Sequence, residues 1–313
     1  MTAQPSDRTA NPAWTAAQPQ LSVLIPFLRD DPCDLIAALG RQRLAAPDTV
    51  EVALFDDGSQ DPALTQAVTE AATACPLPCL LVSSPVNFGR AKGRNQLVQS
   101  ARADWFLFLD GDMLPDSPDF LQTYLDLIEQ DAPAVVFGGF SMLQAPPVRA
   151  HALHRRMAQA SDCAPVVQRR LEPEKHVFTS NLLVRRDVFE TERFDEGFAG
   201  WGWEDVEWAM RVTRRHAIVH INNTATHLGL EPAAAIARKY EQSAANFARV
   251  VDSHRDIVSR YPSYRVARAL KRLPLRAAWR PLLKCLALTE AAPLSARALA
   301  MRLYRAALYA ETV

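Results

Sequence analysis

The chain has 313 residues, 49% of them apolar and 22% charged, and its 35 basic side chains balance 35 acidic ones. That length fits one large α/β domain, or two subdomains sharing a cleft with a short appendage, and the composition fits a soluble enzyme with a sizeable core. A zero net charge excludes a general polyanion binder, so no nucleic-acid partner is expected, and no run approaches the roughly 20 apolar residues of a membrane-spanning helix.

The balance hides an asymmetry. From Arg255 onward twelve basic residues face three acidic ones, a local +9 that leaves −9 for residues 1–254. A basic tail on an acidic body predicts that the tail meets an anionic membrane surface or another acidic partner. The opening stretch MTAQPSDRTANPAWTAAQPQ has no basic start followed by an apolar run. It carries no readable signal peptide, so a cytoplasmic location is expected, and residues 1–19 read as a disordered leader. Five scattered cysteines (Cys33, Cys75, Cys79, Cys163 and Cys285) complete no zinc site and read as thiols in a reducing compartment.

Strand and helix patterns alternate through the first half. Leu21–Ile25 is an apolar run stopped by Pro26, and Cys33–Arg43 has helical spacing. Val50–Phe55 is a second strand ending in Asp56-Asp57-Gly58-Ser59, followed by a helix opened by Pro62. Leu80–Val82 is a third strand, Arg90–Ala101 a helix, and Trp105–Leu109 a fourth strand ending in Asp110-Gly111-Asp112. A helix through Leu121, Leu125 and Ile128 and a strand at Ala134–Phe137 follow. This alternation predicts an α/β fold, a mostly parallel sheet with helices on both faces, whose ligands bind beyond the carboxyl ends of the strands. Past residue 140 a helix is expected at Val148–Ser161, extended chain at Val177–Val184, helices at Asp205–Arg215 and Ala233–His254, and a short strand at Ile218–Ile221. Pro262 is expected to end the compact body. Beyond it Val266, Ala269, Leu270 and Leu273 repeat at helical spacing among Arg265, Arg268, Lys271 and Arg272, a basic amphipathic stretch suited to a membrane interface.

Both acidic clusters fall at strand ends. Asp110 and Asp112, two residues apart, suit a hard cation such as Mg²⁺ or Mn²⁺. Arg90, Lys92 and Arg94 open a helix, where backbone N–H groups and cations make a diphosphate site. In Trp201-Gly202-Trp203-Glu204-Asp205, two tryptophans offer faces for a sugar and adjacent acids stand at a helix start, where a carboxylate can take a hydroxyl proton. His227, after a strand, is a candidate metal ligand.

Together these residues resemble a family 2 glycosyltransferase of the GT-A fold over about residues 20–250. The motifs come in the family order: Ile25-Pro26, Asp-Asp-Gly-Ser, Asn87-x-Gly-x-x-x-Gly-Arg-Asn95, Asp-x-Asp, then Gly200-Trp-Gly-x-Glu-Asp205 and a downstream histidine. The second half is similar to the C-terminal region shared by β1,4-galactosyltransferases and polypeptide N-acetylgalactosaminyltransferases. The resemblance implies a GT-A Rossmann-like sheet with a C-terminal helical appendage. It implies a donor-binding half at 20–140, an acceptor-binding and catalytic half at 141–254, and a basic helical tail at 255–313. Pro26 and Phe27 would border the nucleoside, Asp56 or Asp57 would contact uracil, and Lys92 and Arg94 would lie near the base and diphosphate. Asp110 would touch ribose or the metal, and Asp112 and His227 would hold Mn²⁺ or Mg²⁺. Trp201, Trp203 and Glu204 would shape the acceptor site, with Asp205 as the base of an inverting transfer from a UDP-sugar to a hydroxyl of a glycan, lipid-linked saccharide or peptide. Gly93 stands where Ala is usual, and Thr179-Ser180-Asn181 where many relatives carry a Gly-Gly pair. The competing readings are a nucleotidyltransferase, which wants a Gly-rich loop after the first strand where this chain has Pro26–Asp30, and a non-catalytic carbohydrate-binding module on the same scaffold.

Overall fold

The computed structural model describes residues 7–274 and 276–313. Its strands are β1 (Asp7–Ala10), β2 (Leu21–Phe27), β3 (Val50–Asp56), β4 (Cys79–Ser83), β5 (Trp105–Phe108), β6 (Met113–Pro115), β7 (Val135–Phe137), β8 (Phe140–Ser141), β9 (Leu182–Arg185), β10 (Ile218–His220) and β11 (Ala225–His227). Eight of them form one sheet in the order β1-β4-β3-β2-β5-β9-β7-β10, in which only β1 and β9 run against the other six. The first helices are α1 (Cys33–Gly40), α2 (Pro62–Ala74), α3 (Arg90–Leu97), α4 (Phe120–Asp131), α5 (Ala152–Ala160), α6 (Val166–Arg169), α7 (Arg186–Thr191) and α8 (Glu204–Val212). After them come α9 (Ala233–Ser253), α10 (Arg255–Val258), α11 (Pro262–Lys271), α12 (Arg276–Leu288) and α13 (Leu294–Tyr309).

The central strands are apolar on both faces because both are covered. Leu21, Val23 and Ile25 of β2 pack with Leu35, Val68 and Leu121 from α1, α2 and α4, whereas Leu24 packs with Leu97, Phe189 and Trp208 from α3, α7 and α8. Pro26 is tolerated inside β2 because β5 already ends opposite Leu24, so no ladder bond is lost on that side. The start of α2 shows how local chemistry places a helix: the Asp61 carboxylate accepts from the N–H groups of Ala63 and Leu64, and Pro62 takes the first position.

Several expectations need correction. Residues 7–15 are ordered rather than part of a leader: β1 pairs antiparallel with β4, and the Asn11 amide donates to the carbonyls of Ala72, Cys75 and Leu77 and accepts from the Cys79 N–H, tying a short turn to the sheet edge. Residues 1–6 lie outside the described residues. No boundary falls at residue 140, because β9 from the second half inserts between β5 and β7. Within Val177–Val184 a buried 3₁₀ turn at Thr179–Asn181 precedes β9, and Asn181 bonds Tyr124 and the carbonyls of Gly139 and Asn223, so these residues serve the core. Finally, the compact body does not end at Pro262. Helices α11–α13 fold back and share a core with α5, α8 and α9, built from Tyr264, Ala267, Met301, Tyr304 and Tyr309 against Phe247 and Val250.

Candidate active site

The acidic motifs stand where the strands end. After β3, Gly58 has φ 83°, and a Cβ there would lie 2.6 Å from the Val86 carbonyl carbon, so only glycine completes the Asp56–Ser59 turn. Asp56 accepts from the Ser59 N–H, and Asp57 accepts from the N–H groups of Phe88 (2.7 Å) and Gly89 (2.9 Å). The motif thus ties two loops together. Burial pushes Asp57 up to about 6, against those two bonds. A Cβ on residue 93 would come within 3.3 Å of Asp57 Oδ2, a tight contact that Gly93 avoids. Phe27 is buried in the core beside the Gly111 turn rather than open to a nucleoside, and Pro26 is half-buried. Lys92 sits over the Phe88 ring at 5.0 Å.

A second, small sheet, β6-β11-β8, joins the metal candidates. It pairs His227 with Met113 in antiparallel register, and the Leu228 N–H donates to the Asp112 carbonyl, so two residues 115 positions apart become neighbours. His227 Nε2 lies 3.2 Å from Asp112 Oδ2. Burial works against charge on both groups. The hydrogen bond and mutual attraction outweigh it, raising His227 and lowering Asp112. Asp112 Oδ1 is buried with no hydrogen-bond partner. A Cβ on Gly229 would lie 1.8 Å from Asp112 Oδ2, so this seat requires glycine. The adjacent cavity of about 300 Å³ is lined by Asp30, Asp31, Asp112 and Gly229, and Asp30 is raised by burial and then by the charge of Asp112.

Asp110 takes another course. Its carboxylate accepts from Arg94 Nη2 at 2.7 Å. The Arg94 side chain is 2% exposed, and its Nη1 lies 3.6 Å from a Glu204 carboxylate that is itself 4% exposed. Neither Arg94 nor Glu204 is therefore presented to ligand, and Asp110 does not join Asp112. Among the described residues no three carboxylate, histidine or cysteine side chains gather around one point. The exposed cation is Arg90, one turn before Arg94, 3.9 Å from Glu204 and close enough to feel Asp110, Asp112 and Asp205. Arg90 is one of the three cations that the sequence places at the opening of this helix.

Asp205 stands in the first turn of α8 and accepts its neighbour's N–H from Val206. Its carboxyl is raised to about 7, by burial first and then by Glu204 beside it. The preceding loop is strained: Gly200, Gly202 and Trp203 all have positive φ, and Trp203 at φ 81°, ψ −15° caps α8 from the left-handed region. For a bulky residue that costs of order 1–3 kcal/mol, sustained only by surrounding contacts. Trp201 is half-buried against Tyr240, with Lys239 near its face. Trp203 faces the helical core instead, with ring centroids 4.9 Å from Phe247 and 6.0 Å from Tyr309.

Comparison with known proteins bears on family and fold. The family model of glycosyl transferase family 2 matches residues 22–192. The validoxylamine A glucosyltransferase of Streptomyces hygroscopicus subsp. limoneus is 29% identical over 228 residues, covering 64% of this chain and 49% of that protein, so the chain spans about half of that relative's length. The mannosyltransferase PcManGT from Pyrobaculum calidifontis, in complex with GDP-Man and Mn²⁺, superposes with a TM-score of 0.60 at 16% identity over 97% of this chain and 89% of that one. S. aureus TarS 1–349 in complex with UDP-GlcNAc does so with 0.52 at 17% identity over 91% and 89%. At such identities the likeness is one of fold. With the family match spanning more than half of the sequence, the chain belongs to glycosyl transferase family 2, on a GT-A fold.

Proposed function

We propose that the protein is a metal-dependent inverting glycosyltransferase. It moves a hexose or N-acetylhexosamine from a UDP-sugar to a hydroxyl of a glycan, lipid-linked saccharide or peptide, in surface polysaccharide or glycoconjugate synthesis. The observation that carries this reading is the Asp112–His227 pair with its orphaned carboxylate oxygen, beside the acidic strand ends. An imidazole and a carboxylate side by side fit Mn²⁺ or Mg²⁺, and the orphaned oxygen is satisfied when a cation sits there. Such an ion would supply Lewis acidity for the charge growing on the leaving diphosphate. Arg90 adds a fixed cation on the same side, and Trp201 an apolar face for the acceptor sugar. Asp205 takes the proton of the attacking hydroxyl. The inverting assignment rests on Asp205 and on the resemblance of the Gly-Trp-Gly-x-Glu-Asp stretch to galactosyltransferases. The sugar-nucleotide donor is supported by the GDP-Man and UDP-GlcNAc complexes of the two structural neighbours.

Titration calorimetry with UDP and GDP tests the donor site. UDP is expected to bind in Mn²⁺, more weakly in Ca²⁺, and not measurably in excess chelator, because an imidazole ligand favours a transition metal. Equal UDP affinity with and without chelator contradicts the metal assignment.

The same reading includes peripheral attachment to an anionic membrane. No helix among the described residues is long and apolar enough to cross a bilayer. The outer sides of α11 and α12, with the residues just after α11, nevertheless expose Val266, Leu273, Trp279, Leu282 and Leu286 among the exposed Arg265, Arg268, Lys271 and Arg272. Each basic group near an anionic surface contributes about 1 kcal/mol, screened by salt. Cosedimentation with phosphatidylserine vesicles is expected at low salt, and Trp279→Ser with Leu282→Ser should lower it. Unchanged cosedimentation of that variant contradicts the attachment.

A further inference from the structure

The loop that presents Asp205 is held from the far end of the chain. Trp203 Nε1 donates to the Tyr309 hydroxyl at 2.9 Å, and that hydroxyl lies 2.9 Å from Ser243 Oγ. Ser243 has one hydroxyl hydrogen, which goes to the Tyr240 carbonyl at 2.9 Å. The direction of the chain follows: Trp203 donates to Tyr309, Tyr309 to Ser243, and Ser243 to Tyr240. The Tyr309 ring is stacked on Phe247 at 4.1 Å, so α13 is fixed against α9 at the point where it meets Trp203. One turn along α9 from Ser243, Asn246 Nδ2 donates to the carbonyls of Ala199 and Gly202, both at 2.9 Å. The Trp203 indole N–H and the carbonyls of Ala199 and Gly202 are thus held from α13 and α9.

We propose that Tyr309 is a positioning residue for the transfer reaction, holding Trp203 in its left-handed conformation so that the next residues, Glu204 and Asp205, enter α8 aimed at the cleft. A backbone that leaves the left-handed region at residue 203 rotates the first turn of α8 and with it the Asp205 carboxylate. The C-terminal helices therefore complete the active site as well as carrying the basic surface. This inference rests on the assignment of Asp205 as the base.

Tyr309→Phe tests it, because the ring keeps its stack on Phe247 and only the hydroxyl is lost. Amide exchange over residues 199–205 should accelerate while the protein stays folded. With UDP-glucose and UDP-N-acetylglucosamine as donors and Mn²⁺ present, kcat should fall roughly tenfold to a hundredfold, the range for a slightly misplaced catalytic group. UDP affinity should hold, and the midpoint of the pH–rate profile should move to lower pH as water reaches Asp205. Ser243→Ala, which removes the acceptor of the Tyr309 hydroxyl, should act in the same direction. Leu299→Ala, on the exposed side of α13, should behave as wild type. Unchanged exchange over 199–205 in Tyr309→Phe overturns the inference whatever the donor, and so do an unchanged kcat and pH midpoint. If Asp205→Asn keeps its turnover while Tyr309→Phe speeds exchange in the loop, the base assignment has failed and the clamp has not.

Discussion

Asp205→Asn is expected to lower turnover by about 10²- to 10⁴-fold, the usual contribution of a positioned general base. The amide keeps the shape and the bond from the Val206 N–H and removes only basicity. UDP and Mn²⁺ binding should barely change, since the residues proposed for them, Asp112 and His227, stand at the small sheet and Asp205 on α8. The pH dependence follows from the same carboxyl. A helix N-terminus alone predicts a carboxylate fully ionised at neutral pH, but burial and adjacent Glu204 raise Asp205 to about 7, with Arg94 and Arg90 opposing. The base form is therefore gained as pH rises through about 7, and kcat should rise with it; a profile flat from pH 5.5 to about 8.5 would remove Asp205 from the proton path. Stability moves the other way. Ionising this group is harder in the folded state than in the unfolded one, so its cost is absent below the unfolded pKa and complete above about 7. Asp205→Asn should accordingly melt higher than wild type at pH 8 and much as wild type near pH 4. Retention of more than about a tenth of wild-type turnover contradicts the assignment.

The second large effect belongs to Arg94. Its guanidinium is 2% exposed between Asp110 at 2.7 Å and Glu204 at 3.6 Å. Arg94→Leu leaves Glu204 buried with only Arg90 at 3.9 Å and Asp205 as its neighbour. Removing one partner of a buried ion pair typically costs about 3–5 kcal/mol, because the remaining charge is uncompensated. Denaturant unfolding of Arg94→Leu should show a loss of that order. Arg94→Lys should recover only part of it, since a single ammonium cannot span both carboxylates as the guanidinium fork does. Unchanged stability together with weakened UDP binding would place this side chain on the ligand after all.

The first half of the fold was legible because its signals are local. Strands β2, β3 and β5 are apolar runs that end in turn chemistry, and Asp61-Pro62 marks the start of α2 from sequence alone. What stayed hidden depends on distant partners. Strands β6, β8 and β11 have two or three residues each, too short for any periodicity, yet they bring His227 to Asp112. Arg94 reads as a diphosphate-binding cation until Asp110 and Glu204 arrive from elsewhere in the chain. Trp203 reads as a sugar platform, but its indole N–H finds Tyr309, 106 positions away. The tail reads as an appendage because prolines and basic residues punctuate its sequence, yet α13 packs through Met301, Tyr304 and Leu308 at helical spacing together with Ala298 and Ala306. The stripe that was visible there, Val266, Ala269 and Leu273, is exposed, with only Leu270 turned partly inward.

Proton NMR of UDP-α-linked sugars incubated with the protein and Mn²⁺ tests the central claim most directly, because it reads donor cleavage and the configuration of the released or transferred sugar in one experiment. Release of UDP with a product of β configuration at early times, abolished by Asp205→Asn, is the result predicted for an inverting transfer at this site. An α-configured product, or no UDP released from any of a panel of UDP-hexoses and UDP-N-acetylhexosamines, would contradict it.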